Sequence, residues 1–201
     1  MANAQPALRM SYAEYLEREA RSEGKHEFLR GEVYAMAGGT PEHSALAAAL
    51  ARELGVALRG KPCRVFSSDL RVFVPATGLG TYPDLSVVCG RLETHPEDAN
   101  AVTNPIVLVE VLSDSSEASE RGAKAGHYRK LTSLREYVLV SQREPRIEVM
   151  RRGERGVWEL HEAGAGETVE LASLGVRLSV DAIYEDPLAP AAGGGEVAGG
   201  G

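Results

Sequence analysis

The strongest constraint on this 201-residue chain is a seven-residue run, Ile106 to Leu112 (IVLVEVL), in which one glutamate interrupts six aliphatic side chains. A near-continuous apolar run of this length reads as a strand covered on both faces, as in the interior of an α/β sheet. Glu110 must then sit in packed surroundings. Burying a carboxylate unpaired costs on the order of several kcal/mol, so the fold has to supply a cationic partner, such as an arginine near a strand end, or a metal ion.

The rest of the pattern surrounds that strand with mixed elements. Ser11 to Glu23 reads as a helix opened by a Ser11/Glu14 capping box. Glu27 to Ala37 reads as two short strands folded at Arg30-Gly31, and Thr40-Pro41 opens an alanine-rich helix that stops near Leu58 before Gly60 and Pro62. Arg64 to Val74 alternates like one strand, and Leu85 to Val88 and Tyr137 to Val140 are short apolar strands. Glu117 to Leu131 is helical, with Asp114 and Glu117 at capping-box spacing, and Arg146 to Arg151 with Val157 to Glu162 makes a hairpin. This order predicts an α/β fold: a mixed β-sheet flanked by helices, with a β-rich C-terminal hairpin region. The length suits one domain over residues 11–186, with a flexible arm at 1–10 and a disordered Gly/Ala/Pro tail at 187–201.

Composition narrows the class. No apolar stretch approaches the roughly 20 residues that span a bilayer, so no membrane partner is expected and the cytoplasm is the expected location. Cys63 and Cys89, the only cysteines, are then expected as free thiols. The net charge is −7, yet ten basic and four acidic residues lie between Arg121 and Arg155. That stretch is either a solvated arginine-rich surface or a basic face that touches phosphates.

Two further residues can join Glu110. Asp84 follows Pro83 at the start of the strand Leu85-Ser-Val-Val, and carboxylates from two strands can share one hard cation. On the helix after the Glu110 strand, Arg121, Lys124 and Tyr128 lie at i, i+3 and i+7, one face, from which an amine can reach the carboxylates. Other chemistries lack their motifs. Gly78-Leu-Gly80 precedes a proline rather than a helix, there is no phosphate-cradling loop or nucleophile elbow, and the five histidines are scattered without zinc spacing.

Asp84, Glu110 and Lys124 together resemble the PD-(D/E)XK nuclease superfamily. More narrowly, the chain resembles the Uma-two family of restriction-endonuclease-like proteins from about Tyr12 to Tyr184. The carrying segments are Glu27-Phe-Leu-Arg-Gly-Glu32-Val, His43 at its helix start, Ser68-Asp69-Leu-Arg-Val, Tyr82-Pro-Asp84, Val109-Glu110-Val-Leu-Ser113, Arg121-Gly-Ala-Lys124 with Tyr128, and Leu134-Arg-Glu-Tyr137. The resemblance implies a Mg²⁺- or Mn²⁺-dependent endonuclease acting on DNA as a homodimer, or a catalytically silent nucleic-acid-binding module on the same fold. It implies a metal site of Asp84, Glu110 and the Val111 carbonyl, with Lys124 as the catalytic amine. One departure is plain. The superfamily's usual lysine, two residues after the glutamate, is Leu112 here, and the following helix supplies Lys124 instead, whereas Lys130 points away. Glu27, Glu32, His43, Asp69 and Tyr128 are additional candidates, and the sequence leaves open which of Glu27 and Glu32 faces the site.

Overall fold

The computed structural model describes residues 9–36, 38–113 and 116–186, so most of the expected arm, the tail and Asp114 lie outside the described residues. The elements run α1 (Tyr12–Glu19), β1 (His26–Leu29), β2 (Glu32–Ala35), α2 (Pro41–Ala57), β3 (Cys63–Ser67), β4 (Arg71–Val74), β5 (Leu79–Thr81) and β6 (Leu85–Cys89). They continue with β7 (Thr94–His95), β8 (Asp98–Val102), β9 (Val107–Leu112), α3 (Glu117–Ser119), a π-type turn (Glu120–Lys124) and α4 (Ala125–Tyr128). The C-terminal part adds β10 (Glu136–Ser141), β11 (Arg146–Arg152), β12 (Trp158–Gly164), β13 (Thr168–Leu171), β14 (Val176–Ser179) and α5 (Val180–Tyr184).

The expected architecture is present. One six-stranded sheet has the order β12-β11-β10-β9-β6-β3, in which β9 runs parallel to β10 and antiparallel to β6. Interior placement explains the apolar run. Val107, Val109 and Val111 join the core under α2, while Leu108 and Leu112 join the core under α4, and Glu110 shares the face of the latter two. Helix α2 lies on the first core through Leu46, Leu50, Leu54 and Leu58, one per turn, each worth about 2 kcal/mol of burial. Its alanines Ala47 and Ala51 let it come close. Thr40 caps it, its hydroxyl accepting from the His43 N–H.

Two readings change. Arg64 to Val74 is not one strand: the chain turns at Ser68–Leu70, β3 pairs with β6, and β4 joins a second six-stranded sheet of order β2-β1-β5-β4-β8-β7. The polar cluster Ser67-Ser68-Asp69 marks the break, which a reading of Arg64 to Val74 as one strand passes over. The cysteines are not free thiols either. Antiparallel pairing of β3 with β6 sets Cys63 directly opposite Cys89, with Cα atoms 4.0 Å apart, and the two form a disulfide. In the second sheet, Arg30 (φ 51°) and Gly31 (φ 95°) make the two-residue hairpin loop that joins Leu29 to Glu32. Among the described residues no helix is long and apolar enough to cross a membrane.

Candidate active site

The site forms where the two sheets meet below the α3–α4 helix. Asp84 sits just before β6, beside β9. Its Oδ2 accepts the Val111 N–H at 2.7 Å, and its own N–H donates to Glu110 Oε2 at 3.3 Å. The two predicted acids are thus locked to each other through the backbone of adjacent strands. His43, at the start of α2, brings its Nε2 to 3.1 Å from Asp84 Oδ2, and that hydrogen bond raises the imidazole pKa.

Glu110 is 3% exposed, and its Oε1 accepts from the Tyr128 hydroxyl at 2.7 Å. The cationic partner that burial demanded is Lys124, with Nζ 3.2 Å from the same oxygen. Lys124 also lies 3.0 Å from Glu27 Oε1 and 3.1 Å from Glu120 Oε1. Three carboxylates therefore share one ammonium in a buried place. Burial drives the Glu110 carboxyl well above its ordinary value against the pull of Lys124, with the charges of Glu120 and Asp84 adding to the rise. Burial raises Glu120 likewise, and the surrounding carboxylates hold Lys124 firmly protonated against its own burial.

Of the secondary candidates, Glu27, His43 and Tyr128 are in the cluster. Glu27 also accepts from the Thr81 hydroxyl on the neighbouring strand β5. Glu32 is exposed and accepts from the Tyr34 hydroxyl: it lies on the sheet face that Glu27 shares, but on the edge strand β2, and Glu27 is the glutamate that reaches Lys124. Asp69, a strand-entry cap or an additional acidic residue by its sequence, is not in the cluster. It occupies the β3–β4 turn, its side chain 85% exposed, and pairs with Lys25. Lys130 is exposed, away from the cluster.

Arg121 does not share the Lys124 face; it makes a two-pronged pair with Glu148 of β11 and a second contact with Glu117. Other members of the arginine-rich stretch are similarly engaged. Arg151 pairs with Glu136, and Arg152 donates to the carbonyls of Arg129, Leu131 and Thr132. Those arginines fasten the C-terminal hairpin rather than form an open phosphate-binding face.

Glu120 joins the cluster although the i, i+3, i+7 spacing selects Arg121; it stands four residues before Lys124, a spacing visible in the sequence. Among the described residues, no three His, Cys, Asp or Glu side chains are arranged to hold a metal ion. The donor chemistry nevertheless suits a hard cation of the kind that takes one or two protein carboxylates and completes its shell with water and phosphate oxygens. Asp84 and Glu110 supply those two. A separate cleft of about 450 Å³ lies on the other side of the second sheet, lined by Lys25, Arg71, Tyr82 and Asp98. Its buried groups satisfy one another, Arg71 pairing with Asp98 and donating to the Tyr82 hydroxyl at 3.0 Å, so we assign it a structural role.

A sequence model of the Uma2 family, described as "Putative restriction endonuclease", matches residues 12–181. Two proteins of Synechocystis sp. are similar over nearly their whole length. "Uncharacterized protein slr1290" is 36% identical over 179 residues, 89% of this chain and 93% of that protein. "Uncharacterized protein sll1609" is 33% identical over 162 residues, 81% and 91% of the two chains. A crystal structure from Anabaena variabilis, named as a putative nuclease belonging to DUF820, superposes with a TM-score of 0.68 at 20% identity, covering 85% of this chain and 95% of that one. The fold is therefore restriction-endonuclease-like.

Proposed function

The chain belongs to the Uma2 family, and from that premise we propose that it is a nuclease that hydrolyses phosphodiester bonds in DNA with Mg²⁺ or Mn²⁺ held by Asp84 and Glu110. The observation that carries this reading is the convergence of Glu110, Asp84 and the Lys124 ammonium, with Nζ 3.2 Å from Glu110. The acidic pair comes from adjacent strands and the amine from the following helix, as the resemblance requires.

A divalent ion bound there would polarise a phosphoryl oxygen and lower the pKa of a coordinated water. The residues of the chain have separable tasks. The Val111 N–H and His43 fix the Asp84 carboxylate, and Tyr128 fixes that of Glu110. Lys124, charged and shielded from water, neutralises the negative charge that develops on the phosphoryl oxygens during attack. The family resemblance adds the Val111 carbonyl as a further oxygen for the ion. A homodimer would present two such sites to the two strands of a duplex.

The test is cleavage of supercoiled, linear and branched DNA by the wild type and by Asp84→Ala, with Mg²⁺, with Mn²⁺ and with chelator. Metal-dependent cutting that disappears in Asp84→Ala is expected. Binding without cutting under every condition would favour the silent binding module.

A further inference from the structure

We propose that Glu120 is a positioning residue for Lys124, keeping its ammonium in the site when Glu110 is committed to a metal ion. This deepens the nuclease reading and rests on it for the cleavage readout alone.

The geometry points to a cradle. Lys124 Nζ has three carboxylate neighbours at 3.0–3.2 Å: Glu27, Glu120 and Glu110. Glu110 is the one that the ion would share, so the other two must hold the amine. Glu120 is only 7% exposed. An ion pair of this helical spacing contributes little when exposed, and burying its carboxylate is costly, so stability alone gives no reason for the arrangement.

The backbone is also irregular here. Residues Glu120–Lys124 form a π-type turn, closed by the Ala125 N–H donating to the Glu120 carbonyl five residues back. Such turns are rare and recur at functional sites. A regular helix would already set Glu120 and Lys124, four residues apart, on one face; the wider turn takes Arg121 off that face to Glu148. Tyr137 of β10, fully buried, braces the same residue. Its hydroxyl lies 3.2 Å from the Glu120 carbonyl and 3.3 Å from Oε2, while Oε1 takes the ammonium. Each oxygen of the carboxylate therefore has one assigned partner.

The experiment compares Glu120→Gln, Lys124→Met and the double variant with the wild type. Glu120→Gln should slow single-turnover DNA cleavage by about tenfold or more with little change in KM, the scale of a lost charge-assisted hydrogen bond. Added to Lys124→Met it should slow cleavage no further, because both act through one amine. Mn²⁺ affinity by calorimetry should stay unchanged. Multiplying rate losses, or a clear fall in Mn²⁺ affinity, would overturn the proposal by making Glu120 an independent group or a ligand.

A second readout needs no activity. Acetylation of the Lys124 amine by acetic anhydride, followed by mass spectrometry, should be about tenfold faster in Glu120→Gln than in the wild type. If the wild type never cuts DNA, the nuclease reading fails while this readout still decides the cradle. Should Glu120→Gln not fold, Tyr137→Phe, which removes the brace but no charge, must expose Lys124 in the same direction. Unchanged labelling in the folded variants sinks the idea.

Discussion

Neighbouring strands β9 and β10 each bury a glutamate, and the two solve the problem of buried charge in opposite ways. Glu136, at the start of β10, is 0% exposed. It pairs one-to-one with Arg151 at 2.8 Å and accepts the N–H groups of Ala172 and Ser173 at 3.0 and 3.2 Å, besides the Ser173 hydroxyl. Charge is matched and the carboxylate's hydrogen-bonding capacity is filled. Glu110, on the opposite face of the sheet, divides one ammonium with Glu27 and Glu120 and lies against Asp84. Charge there is in excess. A carboxylate kept with too few cations is suited to receive one, whereas a carboxylate with complete partners is suited to hold a hairpin in place.

The largest effect should separate the two outright. Glu110→Gln in the metal-free protein is expected to leave the fold intact or stabilise it, while Mn²⁺ binding by calorimetry and DNA cleavage fall below detection. Glu136→Gln should do the reverse. It strands Arg151 and loosens the β13–β14 hairpin, costing about 3 kcal/mol in denaturant unfolding. Its Mn²⁺ affinity should be that of the wild type. Equal destabilisation by both variants would make Glu110 a second structural anchor.

Next in size is the amine. Lys124→Ala should lower cleavage about 10²-fold, the scale of one transition-state donor. DNA binding should change little, with the salt slope reduced by about one unit at most. Lys130→Ala is the control, since Lys130 is exposed in the turn that follows α4. Similar losses from both would mean that the helix acts only as a basic surface.

How much of this contrast was legible differs by residue. Glu110 announced itself because a charge inside IVLVEVL violates the strand pattern, and Pro83-Asp84 because it sits at a strand start. Lys124 followed from helical spacing together with the family resemblance. Glu120 carries the same kind of signal, four residues before Lys124 on one helix face, and the π turn hides only the outward swing of Arg121. Glu27 and Glu32 share one face of the hairpin and are told apart only by the sheet order, which sets β1 beside β5 and leaves β2 at the edge. Asp69 lies outside the site because it belongs to the polar cluster Ser67-Ser68-Asp69, which marks the turn between β3 and β4. The role of Arg121 and Arg151 as tertiary clamps was hidden for a different reason: their partners Glu148 and Glu136 lie 27 and 15 residues away. Long-range pairing of this kind has no local signal.

The smallest expected effect is a difference in sign with pH. Burial, helped by Glu120 and Asp84, pushes the Glu110 carboxyl above its ordinary 4.5 despite Lys124, whereas the hydrogen bond from Arg121 holds that of Glu148 below 4.5. A raised carboxyl binds its proton more tightly in the folded state. Its favourable contribution is present at acid pH and is lost as pH climbs from 4.5 through the raised folded value. A lowered carboxyl contributes above 4.5 and loses that contribution as pH falls through its depressed folded value. In metal-free protein, Glu148→Gln should therefore be less stable than the wild type at neutral pH, by about 1 kcal/mol, and converge with it in acid. Glu110→Gln should match the wild type in acid and gain on it as pH rises. Thermal melts from pH 3 to pH 8 give both curves, on the scale of roughly 1.4 kcal/mol per unit of pKa shift. Parallel curves for the two variants would erase the distinction between a matched and an over-charged buried carboxylate.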